Sequence, residues 1–182
     1  MERLTIGERR AVAILRVAVG SIFLFAGLDK WVGINSGGNP FSAAGFLKAG
    51  TNGTWPGVAA APAGSAPVVV NPTHDFWVGL AANADLMAFL NFLVVFGQIA
   101  IGIALIVGIA TRFSAIMGAL MMVLFGIAAW DFGHGIVNQH FAYALITLFL
   151  GYIGAGRAYG LDEVIEKEAA VKHNPQLRYV PG

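Results

Sequence analysis

The chain has 182 residues, of which 57% are hydrophobic and 12% charged, with a formal net charge of +1 and no cysteine. Soluble domains carry about 25% charged residues and at most about half apolar ones, so this composition, with a mean hydropathy of +0.72, indicates an integral membrane protein. The near-neutral charge, with no basic stripe, excludes a nucleic-acid partner. The lack of cysteine excludes disulfides, cysteine-ligated zinc, iron–sulfur clusters and a persulfide intermediate on this chain.

A membrane-crossing helix needs roughly 20 apolar residues, with a range of about 17–25. The first such segment covers about 11–32 and has one interior charge, Arg16. It follows Arg9 and Arg10 as a signal peptide would. Its apolar run is long for that role, however, and "FAGLDKW" offers no small-x-small cleavage site, so it reads as a retained helix. Arg16 lies about one and a half turns inside the edge, where it can snorkel to the headgroups. Its functional reading is a cation at a quinone headgroup or on a proton path. Asp29 and Lys30 end the segment.

Residues 33–85 form a long outer loop rich in Gly, Ala, Pro and Asn. "NPFSAAGFLKAG" offers a helix start, with Asn39 as cap and Pro40 at the first helical position. "HDFWVGLAANADL" places Phe76, Trp77 and Leu80 at helical spacing, and "APAGSAP" between the two is a turn or flexible link. Both short helices suit the outer membrane surface, and the loop reads as a lid over the helices rather than a catalytic element. Asn52-Gly53-Thr54 is a glycosylation sequon, relevant only in a host that glycosylates.

The second span, about 86–110, and the third, about 113–130, carry no charge. Asn91 and Gln98 are seven residues apart and share a face continued by Gly102. Gln98 is near mid-span, where its amide serves either as interhelical glue or as a hydrogen-bond partner for a quinone carbonyl. Ala100, Ala104 and Gly108 recur every four residues on the second span. Ser114 with Gly118, and Gly151 with Ala155, repeat the spacing on the third and fourth, as close-packed membrane helices require.

The polar stretch "AAWDFGHGIVNQH" separates the third span from the fourth, about 141–156. In an antiparallel arrangement Asp131, His134, Asn138, Gln139 and His140 meet Asp29 and Lys30 at one rim. Such a set can bind an anion or hand on a proton. From spacing alone, an ion pair with helix caps is the better explanation. No histidine spacing fits a zinc or haem site. After the fourth span, residues 163–182 form a tail in which Glu163 with Lys167, and Glu168 with Lys172, are i,i+4 pairs of a solvated helix.

Arginine and lysine set the orientation. Arg3, Arg9, Arg10, Arg112, Arg157, Lys167, Lys172 and Arg178 fall on one side, and only Lys30 and Lys48 on the other. Both termini are therefore expected in the cytoplasm, with the polar stretch facing outward.

Three stretches carry a family resemblance. "LRVAVGSIFLFAGLDKWVG" on the first span, "FGQIAIGIALIVGIATR" on the second and "GAGRAYGLD" after the fourth resemble the DoxX/DoxD family, over nearly the whole chain apart from the outer loop. The matching positions are Asp29, Lys30, Gln98, Thr111, Arg112, Gly156, Arg157 and Asp162. The resemblance implies a four-helix membrane protein and, from the DoxD-like branch, the small subunit of an enzyme passing electrons from thiosulfate to membrane quinone. Many relatives have a glutamate where Gln98 stands, so a mechanism using that carboxylate is not open to this chain.

The expectation is an all-α integral membrane protein of the plasma membrane. Its residues 1–162 form a four-helix transmembrane bundle, and a partner subunit or second copy accompanies it. Asp29, Lys30, Asp131 and His140 are the candidate catalytic groups. Arg16, Asn91 and Gln98 are candidates for holding a quinone, with no metal. The competing class is a non-catalytic membrane anchor or assembly subunit. A small transporter is disfavoured by the few polar residues within the spans and by the lack of a discontinuous helix or inverted repeat.

Overall fold

The computed structural model describes residues 4–35, 37–39, 41–50, 71–130 and 137–166, and among these there are helices and turns but no strand. Three helices are long and apolar enough to cross a membrane: α1 (Ile6–Val32), α4 (Ala84–Val107) and α5 (Thr111–Ala128). Their outer faces carry Ile14, Phe25, Phe89, Phe92, Phe113 and Ile116, all more than half exposed. A continuous apolar surface of this kind is unfavourable in water and points to lipid around it.

Local chemistry sets the ends. α1 starts at Ile6, five residues before the expected edge, because Thr5 and Glu8 form a capping box. It stops at Gly33, whose φ of 71° and bond to the Asp29 carbonyl close the last turn. α4 ends at Val107 rather than near 110, because Gly108 (φ 72°) and Ala110 (φ 48°) are both left-handed. α6 (Gln139–Tyr152) has 14 residues, about 21 Å at 1.5 Å per residue, and is shorter than the 141–156 segment read from hydropathy. Gly154 (φ 64°) turns the chain into a 3₁₀ turn over Ala155–Arg157.

α5 occupies the middle. A side chain at Gly118 would meet Phe23 of α1, Ile101 of α4 and Thr147 of α6 within 3.3 Å. Around it, Val19, Phe23, Ile101, Leu105, Ala119, Met122, Ala144, Leu150 and Ala155 form the core. Ser114, Gly118, Gly151 and Ala155 all face this interior. On α4 the packing stripe differs from the expected one. Ala100 is exposed and Ala104 half-buried. The close approach to α1 runs instead through Gly102, which lies against the Leu24 backbone, and opposite Gly20 and Gly27 of α1.

The loop after α1 holds α2 (Ala43–Gly50) and α3 (His74–Leu80). α2 starts later than the Asn39–Pro40 signal. The Ser42 hydroxyl accepts from Gly45 N at 3.1 Å, and the Asn91 side chain reaches from α4 to accept from Ala43 N at 2.7 Å. Pro40, the Asn52 sequon and "APAGSAP" lie outside the described residues. Ala43, Leu47, Trp77 and Ala81 pack with Met87 and Ala128 as a second cluster over one end of α4 and α5. This is the loop end; the opposite, tail end holds the start of α1 and the 3₁₀ turn over Ala155–Arg157.

Two asparagines finish α5 at the loop end. Asn71, 1% exposed, donates to the Ile127 and Ala128 carbonyls at 2.8 and 2.9 Å. Asn138 donates to Gly126 O at 3.0 Å. The i+4 amides that would serve these carbonyls lie beyond α5, and of the three Ile127 O also takes the Trp130 amide at 3.3 Å. The Asn71 Oδ1 also accepts from Thr73 N and Thr73 Oγ1. Asn71→Ala therefore strands several buried groups and is expected to cost about 3 kcal/mol. Asn83→Ala, which removes the exposed cap of α4, is expected to cost about 1 kcal/mol. Thermal unfolding in detergent compares them, and equal losses would contradict this account.

Candidate functional site

The loop end gathers most of the polar side chains read from sequence. In the last turn of α1, the Asp29 carboxylate accepts from Asn35 N at 2.8 Å and so fastens the chain leaving the helix. Lys30 donates to Ala26 O at 3.3 Å, and its ammonium lies 5.6 Å from the centre of the Phe41 ring, a cation–π contact. Asn91 is committed to α2 through Ala43. Asp131 and His134 lie outside the described residues.

His140 begins α6 behind its Asn138 cap, whose Oδ1 accepts from His140 N at 3.0 Å and Phe141 N at 3.3 Å. The His140 ring stands edge-on to Phe125, with centroids 6.1 Å apart and planes at 90°. Phe125 also meets Phe46 of α2 at 5.9 Å, so the lid touches the histidine through one aromatic ring. The His140 Nδ1 is buried with no hydrogen-bond partner. Lys30 and His140 are electrostatic neighbours across the α1–α6 gap.

Gln98 is 3% exposed, and its Oε1 has no hydrogen-bond partner either. The adjacent Gly97 faces Met121, in the middle of α5, so Gln98 sits near mid-span. Leaving a buried polar atom unpaired costs about 1–3 kcal/mol. Gln98 and His140 are thus two buried groups that each lack a partner, and Lys30 is an electrostatic neighbour of the second. The imidazole presents two ring nitrogens. The amide presents Oε1 or, turned over, Nε2. This donor and acceptor set fits the oxygens of a quinone headgroup. Among the described residues no three His, Asp or Glu side chains group as a metal site.

No family model, curated protein or solved structure matches this chain.

Arg16 stands apart from both groups. It lies against Gly108, ten residues beyond Gln98 along α4, or about 15 Å away. At 2% exposure it turns inward instead of snorkelling. Its Nη1 donates to Ala155 O at 2.8 Å and its Nη2 to Tyr159 O at 3.5 Å. Asp162, fully buried, is its electrostatic neighbour. The Asp162 carboxylate accepts from Ala110 N at 2.8 Å and Thr111 N at 3.0 Å. The Asp162 amide donates to Gly108 O at 2.8 Å. α5 has no side-chain cap of its own at Ala110, so a residue 51 positions downstream supplies it. Side chains at Gly108, Gly156 or Gly160 would collide with Arg16, Asp162 or Thr111.

Thr111, Gly156 and Asp162 thus meet with Arg16 in one clasp at the tail end, while Asp29 and Lys30 lie at the other end and Gln98 near mid-span. Arg157 beside the clasp is held by both oxygens of Glu166 at 2.7–3.0 Å, which raises its guanidinium above its already high ordinary pKa. Glu163 pairs with Arg9 at 2.7 Å; Lys167, Glu168 and Lys172 lie outside the described residues. α7 (Leu161–Ile165) is therefore docked through Asp162 rather than a solvated tail helix. Sequence reasoning did not pair Arg16 with Asp162, although a lone charge inside a span asks for a counter-charge. Nothing in the sequence singled out Asn71.

Proposed function

We propose that this chain is a small membrane protein of the DoxX/DoxD type that supports electron transfer from thiosulfate, or a similar sulfur oxyanion, to membrane quinone. The observation that carries this reading is that His140 Nδ1 and Gln98 Oε1 are both buried and unpaired, with Lys30 an electrostatic neighbour of His140. In this reading Gln98 bonds the quinone headgroup, His140 passes the proton, and Lys30 attracts the oxyanion. Asp29 adds a carboxylate at this end, and Asp131 is the other acidic candidate for the same role. Asn91 contributes by holding the lid, and Arg16 by holding the tail end together. A bound quinone supplies the electron acceptor. Without cysteine the chain binds its substrates and forms no covalent sulfur intermediate.

The proposed topology has four crossings in the plasma membrane, with α6 extended by its flanks as the fourth, both termini in the cytoplasm and the loop end outside. The lysine and arginine distribution supports that orientation. The packing of α6 along α5 supports the fourth crossing. The proposed assembly is with a partner subunit or a second copy.

The alternative is a non-catalytic anchor, favoured by the engagement of Asp29, Asn91 and Asn138 in closing helix ends. Gln98→Leu separates the two. If Gln98 awaits a ligand, removing its unpaired amide is expected to raise the melting temperature of the ligand-free protein by a few degrees. It is also expected to abolish co-purification of quinone, read by mass spectrometry of the detergent-solubilised protein. A destabilised Gln98→Leu protein that never carried quinone identifies the amide as interhelical glue and favours the anchor. His140→Ala and Lys30→Ala are each expected to lower thiosulfate-dependent quinone reduction about 100-fold or more. Unchanged turnover in both removes them from the site.

A further inference from the structure

The tail-end clasp is built like a ligand site. The α5 N-terminus offers the Ala110 and Thr111 amides, where a helix concentrates partial positive charge and binds anions. Arg16 brings a full positive charge. Two further polar atoms, Arg16 Nε and Thr111 Oγ1, are buried there without hydrogen-bond partners, in residues only 2% and 0% exposed. A side chain at Gly156 would strike both Thr111 Oγ1 and an Asp162 oxygen, so that hydroxyl borders the carboxylate. Gly108 and Gly160 leave the space that the guanidinium fills. The carboxylate in this cradle belongs to the short helix α7, near the C-terminal limit of the described chain.

We propose that Arg16, Thr111 and the first amides of α5 form an anion site for a carboxylate, whose resident ligand is the chain's own Asp162. On this view the C-terminal segment is a tethered latch that holds α1 to the α4–α5 turn. The latch is independent of Gln98 and His140 and of any redox role. It closes only after the last helix is in place, so Arg16 lies in an apolar span without its counter-charge until the C-terminal segment arrives.

The test uses the full chain in detergent, with formate as the probe. Asp162→Ala is expected to lower the melting temperature by about 10 °C. Sodium formate is expected to restore several degrees, whereas sodium chloride at the same ionic strength is not. Neither salt is expected to separate from the other in the wild type or in Arg16→Met/Asp162→Ala. Equal effects of formate and chloride on Asp162→Ala would overturn the site, as would an equal formate effect on the double variant. Should Asp162→Ala fail to fold, Asp162→Asn keeps the shape without the charge. Tryptic cleavage after Arg157 is then expected to be about tenfold faster than in the wild type, because the latch opens more often. A wild-type cleavage rate would overturn the latch.

Discussion

Gly102→Val is expected to prevent the protein from folding, and Gly102→Ala to cost about 3 kcal/mol. An ideal Cβ at Gly102 lies 2.7 Å from both Cα and Cβ of Leu24, where carbon atoms prefer about 3.5–4.0 Å. Two backbones meet there, so no flexible side chain can move aside, and α1 and α4 must separate. That separation would also loosen Gly20, which faces Gly102 O and Ile106, and Gly27, which faces Val95 O and Ile99. Overpacking a core usually costs about 1–3 kcal/mol, and a contact between two helix backbones belongs at the upper end. Lipid tails compete with side chains for apolar contact, so close backbone approach is what holds membrane helices together. Gly79→Ala in α3 is the control. Nothing lies within 4 Å of its Cβ, and the change should stabilise by up to about 1 kcal/mol through reduced chain entropy. Monodisperse yield and melting temperature measure both, and a Gly102→Ala protein within a degree of the wild type would refute the packing account.

The second large effect concerns Arg16 and Asp162, whose single replacements are expected to differ in severity. Asp162→Ala leaves a guanidinium in the interior with its counter-charge gone and its Nε already unpaired. Breaking a buried pair from one side costs about 3–5 kcal/mol. It also uncaps α5, because Ala110 N and Thr111 N lose their acceptor. Arg16→Met removes the cation but leaves the carboxylate on two amides and the positive end of α5, so its cost should be roughly half as great. In Arg16→Met/Asp162→Ala no charge remains buried. The double variant is expected to be more stable than Asp162→Ala alone, so that replacing the arginine rescues the loss of the aspartate. Chemical denaturation in mixed micelles gives the cycle. Additivity within about 0.5 kcal/mol would show that the two side chains do not act together.

The residues differ in how far they could be read in advance, and the difference follows from the range of the forces involved. Local chemistry is legible in order along the chain. The apolar runs, the end of α1 at Gly33 and the Asn138 cap in "VNQH" each depend on neighbours within one or two turns. So does the placement of α2 and α3 within the loop, with an error of three residues at the start of α2. What the residues alone specify is therefore a set of helices, apolar and long enough to cross a membrane. On α4 the shared face of Gln98 and Gly102 marked the inward side, and both are buried, but the small-residue spacing pointed to a different stripe. Both lipid and core are apolar, so hydropathy does not encode the rotation of a helix about its axis, and the stripe runs through Gly102 rather than Ala100 and Ala104. Nor could it show that Arg16 turns inward to Asp162, that Asn71 caps α5, or that Gln98 is left without a partner. Those facts depend on which groups are brought together from distant parts of the chain, and only tertiary packing decides where a buried polar atom finds its hydrogen bond.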